Sequence, residues 1–324
     1  MSAGTDVNQI EITSLSHING QDKVVDVLQV NLSAYFNSRQ NGSGSTFGPV
    51  LLVGPSGTGK TLVAKAIHCE LANLKLIETN GEMLNSCSEL NSILLTADDN
   101  TTVFIDECQA LNSKAQHILL TAISEKVIFA PKTNASKSKT AIPLANFSLI
   151  LASTHEYQLQ DALRNRMRIY CRFNYYSIDD LTGIVKQRAD ALRWEYESLD
   201  VLAEIAKRAK NTPRIALNRN LQMAYSVASS DNRAVITKSD IIQTFKLLEV
   251  DELGLDSLER SYLFELSKHK SMKLNVIASK VGLPRQTVAT VIEPYLLRTE
   301  LIEKIGSDRA ITTKGKKHIE DNSI

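Results

Sequence analysis

GPSGTGKT, residues 54–61, is a glycine-rich stretch that lies directly after the apolar run PVLLV, residues 49–53. It fits the pattern G-x-x-x-x-G-K-[ST]. The segment after it, TLVAKAIHCELA, has a composition typical of a helix. Glycines allow backbone N–H groups to turn towards phosphate oxygens, and the N-terminus of the following helix favours negative charge. The sequence therefore predicts a strand, a phosphate-binding loop and a helix.

The loop predicts both a nucleotide site and one metal ligand. Lys60 would reach the β- and γ-phosphates of ATP, and the Thr61 hydroxyl would be a ligand of Mg²⁺. The alternative is a chance glycine-rich turn, but a strand before and a helix after are the context that the motif requires. The residues predicted to bind the nucleotide here are Gly54, Pro55, Ser56, Gly57, Thr58, Gly59, Lys60 and Thr61.

Two adjacent acids end the apolar run VFIDE, residues 103–107. Asp106, at the end of a buried strand, would hold Mg²⁺, and Glu107 would polarise the attacking water. Strand ends are often acidic, so this run is a weak signal alone; after a phosphate-binding loop it becomes strong. The pair of acids predicts ATP hydrolysis rather than nucleotide binding alone.

Four further polar side chains could reach the γ-phosphate. Thr154 ends a third apolar run, and Arg214 follows Pro213, which suits the first turn of a helix. Arg164 and Arg166 are alternatives for an arginine finger that enters the site of a neighbouring subunit. From the residues alone, Thr154 could equally well cap a strand. Arg164 and Arg166 could equally well lie at a solvated helix end.

The order of the predicted elements divides the chain into three parts. Strands alternate with helices over residues 1–176, which predicts a parallel α/β sheet. Helical patterns follow one another over residues 177–252, as in a small helical lid. Residues 253–324 contain short helical segments and then a two-stranded wing. Residues 1–14 are expected to form a loose tail.

Composition limits the location and the partners of the chain. Hydrophobic residues make up 43% and charged residues 23% of the sequence, which is typical of globular proteins. The net charge is only +1, so contact with nucleic acid would depend on local basic patches. The cysteines have no metal-binding spacing, and no apolar run is long enough to span a membrane. We expect a soluble cytoplasmic protein without a membrane partner.

The third part has the pattern of a helix-turn-helix. The segment LNVIASKVGLPRQTVATVIEPYL, residues 274–296, predicts two helices joined by a short turn. Arg285 begins the second helix, where it could touch backbone phosphates. From Leu255 onwards there are 12 lysines and arginines against nine acids. Because this excess is small, a winged helix that contacts protein is the alternative.

Taken in this order, the motifs resemble those of the AAA+ ATPases, and more closely those of the RuvB family of Holliday junction branch-migration motors. INGQDKV, residues 18–24, resembles the family's segment near the adenine, which implies that Ile18 contacts the base. NTPRIALN, residues 211–218, resembles its sensor-2 segment, and EPYL with the wing resembles its winged helix.

The resemblance implies a role for each residue singled out above. Asp106 and Glu107 would be the metal-binding and water-activating acids, and Thr154 would be sensor 1. Arg166 would be the arginine finger. The remaining implied residues are Pro213 and Arg214 in sensor 2 and Arg309 on a DNA-binding wing.

Three positions depart from the family pattern. His155 stands where the family has another basic residue, and the wing reads Gly306-Ser307-Asp308-Arg309, with one arginine instead of two. The insertion at residues 125–147, which in the family meets the partner RuvA, has a polar tip, KTNASKSKT at 132–140. The resemblance implies a RuvA-like partner, but the polar sequence of this tip does not favour that interaction.

These inferences predict a P-loop AAA+ ATPase core with a helical lid and a winged helix, which uses ATP and Mg²⁺ to drive branch migration. The predicted partners are duplex or four-way junction DNA and further copies of the chain in a ring, by resemblance a hexamer. One alternative is an AAA+ remodeller of proteins or a clamp-loader-like ATPase. Another is a winged-helix regulator that uses the nucleotide as a switch, for which Glu107 would be dispensable.

Overall fold

The computed structural model describes residues 4–42, 46–84, 86–129 and 140–321. The chain divides into two compact units, one of Ile10–Tyr176 and one of Met1–Gln9 with Ser177–Ile324. The second unit holds both the helical segment and the winged helix. The predicted boundaries at 176/177 and 252/253 remain proposals.

The first unit is built on a parallel sheet. Its strands are β1 (Val50–Val53), β2 (Lys75–Asn80), β3 (Thr101–Asp106), β4 (Val127–Phe129), β5 (Ala141–Pro143), β6 (Ser148–Ser153) and β7 (Ile169–Arg172). Five of them form a sheet in the order β2-β3-β6-β1-β7, in which every neighbouring pair is parallel. The α/β prediction is confirmed.

Helices cover both faces of this sheet. They are α1 (Asp22–Gln40), α2 (Lys60–Leu71), α3 (Cys87–Thr96), α4 (Ser113–Glu125) and α5 (Asp161–Arg164). Side chains alternate across a strand, so Leu51 and Val53 of β1 pack in one core, with residues of α3 and α4. Val50 and Leu52 pack in the other, with residues of α1 and α2.

The parallel arrangement sets the position of the polar residues. Because the carboxyl ends of parallel strands meet at one edge of a sheet, the loop after β1, the acids that end β3 and Thr154 after β6 share that edge. Strands β4 and β5 stand apart as an antiparallel pair. The polar tip predicted at 132–140 falls, except for its last residue, outside the described residues.

The second unit starts with helices. They are α6 (Ile178–Leu192), α7 (Leu199–Lys207), a π-helical turn (Ile215–Leu221) that continues into α8 (Gln222–Ser230), and α9 (Lys238–Leu247). The sequence pattern predicts only helices here. The structure nevertheless has a short parallel pair, β8 (Glu195–Tyr196) and β9 (Val235–Ile236), each only two residues long and thus too short for a periodic signal.

A winged helix completes the second unit, as predicted. Its elements are α10 (Ser257–Ser267), β10 (Met272–Lys273), α11 (Leu274–Lys280), α12 (Arg285–Thr287), a π-helical turn (Val288–Ile292), α13 (Glu293–Arg298), β11 (Ile302–Ile305), β12 (Asp308–Ile311) and α14 (Thr313–Asp321). Strands β11 and β12 form the antiparallel wing, and β10 pairs with β12. Within the described ranges no helix has the length and apolar character needed to cross a membrane.

The loose tail predicted for residues 1–14 is wrong for the described part of that segment. Residues 4–9, which we call the N-terminal strap, pack on the helical segment. The Trp194 Nε1–H donates to the Gly4 carbonyl over 2.6 Å, and the Val7 N–H donates to the Gln222 side chain over 2.9 Å. Val7 itself is buried. These partners are far away along the chain, so local sequence pattern does not reveal them.

Candidate active site

The loop after β1 is shaped by its glycines. Gly54 has φ +150°, and a Cβ there would lie 2.5 Å from the Phe173 carbonyl oxygen, so only glycine fits. Gly59, with φ +98°, ends the loop, and α2 begins at the next residue, Lys60. The N-terminus of α2 therefore adjoins the loop, as phosphate binding requires.

Side chains hold the loop in place. The Lys60 ammonium is buried and donates to the carbonyl oxygens of Gly54 and Pro55 over 2.8 and 2.9 Å. The Thr58 hydroxyl donates to the Pro55 carbonyl over 2.8 Å, and the Tyr176 hydroxyl donates to the Thr58 carbonyl over 3.0 Å. Lys60 thus lies across the loop, where phosphate oxygens are expected.

The two predicted metal ligands lie together. The Thr61 hydroxyl, in the first turn of α2, donates to Asp106 Oδ2 at the end of β3 over 2.7 Å. The other oxygen, Asp106 Oδ1, accepts the Glu107 N–H over 2.8 Å. In the described ranges no three histidines, cysteines or acids cluster as a metal site. A hydroxyl and one carboxylate, completed by phosphate oxygens and water, are a ligand set that suits Mg²⁺.

A hydrogen bond from Thr154 holds the Glu107 side chain. The Glu107 backbone is left-handed, with φ +45°, which is unusual for a residue other than glycine. The Thr154 hydroxyl donates to Glu107 Oε2 over 2.7 Å, and the Gln109 amide donates to the same oxygen. Partial burial raises the pKa of the Glu107 carboxyl. The hydrogen bonds from Gln109 and Thr154 and the nearby charge of Lys60 outweigh this effect and leave the pKa below its ordinary value.

These contacts bring the predicted residues of the sheet edge into one group. Lys60 and Thr61 come from α2, Asp106 and Glu107 from the end of β3, and Thr154 from the end of β6. A carboxylate kept ionised beside a phosphate-binding loop can accept a proton from water. The arrangement has the parts needed to hydrolyse a nucleoside triphosphate, while the role of each residue stays a prediction.

The two arginines considered as fingers differ in their surroundings. The Arg164 guanidinium pairs with Asp161 at the start of α5. Arg166 is exposed, and its side chain makes no hydrogen bond or ion pair with any described residue. It lines a groove of about 1070 Å³ formed by residues of α3, α4, β4 and α5, to which the phosphate loop contributes no residue. Of the two, Arg166 is the one placed to act outside its own chain.

Three further predicted nucleotide contacts belong to other elements of the chain. Ile18 is half-buried in the first unit, beside the core that contains Leu15 and α1. Pro213 and Arg214 belong to the second unit and precede the π-helical turn; the Arg214 side chain is exposed. Their roles at the adenine and the γ-phosphate stay predictions.

The wing arginine lies in a buried pair. Arg309 Nε donates to Glu293 Oε1 over 2.7 Å and Nη2 donates to Oε2 over 3.0 Å, while the Tyr262 hydroxyl also donates to Oε1 over 2.9 Å. The side chains of Arg309 and Glu293 are only 12% and 2% exposed. The hydrogen bond to Glu293 raises the pKa of Arg309. The Nε–Nη2 edge of the guanidinium binds Glu293, and Nη1 donates to the Ser307 carbonyl over 2.9 Å, so the Arg309 side chain is already occupied and its contact with DNA stays a prediction.

Other cations of the winged helix are exposed. Arg285 is the first residue of α12, as predicted. Lys304 lies directly across from Arg309 in the register of β11 and β12, and it is exposed. Neither side chain makes an ion pair with a described residue. Both are therefore better placed than Arg309 to meet phosphates.

Sequence analysis missed one residue of the site. Gln109 lies in the short 3₁₀ turn after Glu107 and joins that carboxylate to β6 through Ser153 and Thr154. The available signal was a polar side chain two positions after the second acid, in DECQ. That signal is too short to stand out without the fold.

Three family models match the chain. The model described as "Holliday junction DNA helicase RuvB P-loop domain" matches residues 10–173. The "RuvB AAA lid domain" matches residues 176–251. The "RuvB C-terminal winged helix domain" matches residues 252–320.

Characterised relatives and solved structures agree with these matches. The RuvB subunit of the Holliday junction branch migration complex from Mesomycoplasma hyopneumoniae (strain 7448) is 30% identical over 315 residues, 96% of both chains. That of Campylobacter hominis is 32% identical over 308 residues, 93% of this chain and 87% of the relative. The structure of the Thermotoga maritima RuvB Holliday junction branch migration motor superposes with a TM-score of 0.79 at 29% identity and covers 96% of this chain and 98% of that one.

Proposed function

The chain belongs to the RuvB family of Holliday junction DNA helicases, and on this premise we propose that it is an ATP-driven motor that moves the branch point of four-way DNA junctions in recombination and repair. The observation that carries the proposal is the joined group of Thr61, Asp106, Glu107 and Thr154 at the phosphate loop, in a chain that also has a winged helix. A nucleotide switch would not need a carboxylate held ready at this position.

Each side chain of the group has a part in hydrolysis. The loop N–H groups and Lys60 bind the phosphates. Thr61 and Asp106 would hold Mg²⁺, which would supply charge neutralisation at the phosphates. Glu107 orients the attacking water and accepts its proton, since hydrogen bonds keep its carboxyl ionised. Thr154 donates its hydroxyl proton towards the γ-phosphate. Ile18, Pro213 and Arg214 complete the nucleotide contacts in this proposal.

The proposal is tested by measuring ATP hydrolysis and branch migration with no DNA, with linear duplex and with a synthetic four-way junction. We expect the junction to stimulate hydrolysis most and ATP to drive strand exchange. Robust hydrolysis that is indifferent to all DNA would keep the ATPase and reject the junction motor. A protein remodeller would then be the better hypothesis.

A ring, by resemblance a hexamer, is part of the proposal. Arg166 is exposed, and it lines a groove to which its own phosphate loop contributes no residue. It would therefore complete the site of a neighbouring subunit and stabilise the charge of the transition state. A cytoplasmic location is also retained as a prediction. A RuvA-like partner stays a prediction as well, since the hairpin tip lies outside the described residues.

Mixing two inactive variants tests the finger. Arg166→Ala and Lys60→Ala should each lose most ATP hydrolysis, but a mixture should regain part of it. Some interfaces in mixed rings then combine an intact loop with an intact Arg166. Hydrolysis is measured against the mixing ratio at fixed total protein. Arg164→Ala is the control, because Arg164 already pairs with Asp161; equal loss in that variant, or no recovery in the mixture, would reject Arg166 as the finger.

A further inference from the structure

Gln109 connects the residues proposed to activate water and to sense phosphate. Its Nε2 donates to Glu107 Oε2 and to Thr154 Oγ1, the latter over 3.0 Å. Its Oε1 accepts the Ser153 hydroxyl over 2.8 Å. The side chain therefore joins the turn after β3 to the end of β6 through both ends of its amide.

Chemistry allows only one orientation of this amide. An ionised carboxylate accepts hydrogen bonds and donates none, so the NH₂ end must face Glu107. Ser153 is fully buried, and its hydroxyl donates to the opposite end, which leaves the NH₂ group aimed at the carboxylate. Gln109 is thus oriented by Ser153 at one end of its amide and by Glu107 at the other.

We propose that Gln109 is a positioning residue for ATP hydrolysis, whose amide keeps the Glu107 carboxylate in place when the Thr154 hydroxyl turns to the γ-phosphate. A threonine hydroxyl has one proton to donate. In this structure the Thr154 hydroxyl donates that proton to Glu107 Oε2. When the Thr154 hydroxyl donates to a phosphate oxygen instead, Glu107 loses one of the two described side chains that donate to it. The Gln109 amide is then the side-chain donor that remains.

The inference rests on the proposed ATPase function, because it needs Glu107 and Thr154 in those roles. It adds Gln109 as a physical link between Glu107 and Thr154. Without Gln109, engagement of the γ-phosphate by the Thr154 hydroxyl would leave the carboxylate held by the Thr154 backbone N–H and by no side-chain donor among the described residues. A displacement of about 1 Å is enough to cost a factor of about 100 in rate.

Gln109→Leu removes the amide while keeping a side chain of similar size. We expect kcat for ATP to fall by about 10- to 100-fold. KM and the affinity for a fluorescent ATP analogue should change by less than about twofold, since the side-chain hydrogen bonds of Gln109 go to Glu107, Ser153 and Thr154 rather than to the loop. Ser153→Ala should lower kcat in the same direction but less. Gln158→Leu, the same change at an exposed site after β6, should leave kcat unaltered.

A double variant separates positioning from a structural role. If Gln109 acts through Glu107, then Gln109→Leu should cause no further loss of kcat in a Glu107→Gln background. An unchanged kcat in the single variant, a rise in KM alone, or an equal loss in both backgrounds would overturn the inference. Absence of hydrolysis by the wild-type chain would instead reject the proposed function. Thermal unfolding of each variant, with ATP absent, shows whether the fold is retained.

Discussion

Lys60→Ala should lower ATP hydrolysis by about 100- to 1000-fold, the usual effect of removing one donor that stabilises charge in a transition state. The ammonium lies buried across the phosphate loop, with the Gly54 and Pro55 carbonyls as partners. It is the charged donor that the motif assigns to the β- and γ-phosphates. Nucleotide binding should weaken as well, because the same charge attracts the ground-state phosphates. Steady-state hydrolysis and titration with a fluorescent ATP analogue measure the two effects separately.

The same helix offers a matched control. Lys65 lies five residues later in α2, where its ammonium forms a surface ion pair with Glu78 over 3.0 Å. Surface pairs contribute little to stability, about 0–1 kcal/mol. Lys65→Ala should therefore keep both binding and hydrolysis. If Lys60→Ala behaved like Lys65→Ala, the nucleotide site assigned to this loop would be incorrect.

Glu293→Ala should destabilise the second unit by about 3–5 kcal/mol, because it leaves the Arg309 guanidinium as a nearly buried charge without its partner. The Tyr262 hydroxyl loses its acceptor in the same step. Urea unfolding followed by circular dichroism measures the loss. Glu303→Ala is the control, since Glu303 is an exposed acid on the same wing, in β11; equal losses in the two variants would contradict a structural role for the pair.

Whether Arg309 also touches DNA needs a variant that keeps the fold. Replacing both members of a buried ion pair by apolar residues is often neutral for stability. We therefore expect Glu293→Leu combined with Arg309→Met to recover most of the stability that either change alone removes. If DNA stimulation of hydrolysis also recovers, Arg309 is structural. If stability recovers and stimulation does not, Arg309 contacts DNA. Arg285→Ala, which removes an exposed cation, should reduce stimulation without changing stability.

Contiguous motifs made much of the site predictable. The glycines of residues 54–61 specify their own backbone shape, so strand, loop and helix could be inferred without the fold. A buried parallel strand has a continuous run of apolar residues in the sequence. Asp106 could be recognised because it is the charged residue at which such a run ends. Thr154 followed from the same reasoning on β6. The contact between Thr61 and Asp106 then follows from two strands ending at one edge.

Pairings across long sequence distances could not be inferred in this way. Gln109 reaches Ser153, which is 44 positions away, and the link depends on β3 and β6 being neighbours in the sheet. The family resemblance implies that Arg309 contacts DNA, which stays a prediction, and it gives no sign of the ion pair that Arg309 forms with Glu293 in α13. The sequence pattern predicts a loose tail at the N-terminal strap, because partners of the strap such as Trp194 lie about 190 residues later.

The N-terminal strap has a mechanical consequence. The chain passes between its two compact units twice, after Gln9 and again after Tyr176, because the strap belongs to the second unit although it precedes the first in sequence. The two units are therefore joined covalently at two places in the chain rather than one. The hydrogen bonds from Trp194 to Gly4 and from Val7 to Gln222 hold the residues that precede the first crossing on the second unit. A single cut in the chain at either crossing would thus leave the units connected through the other.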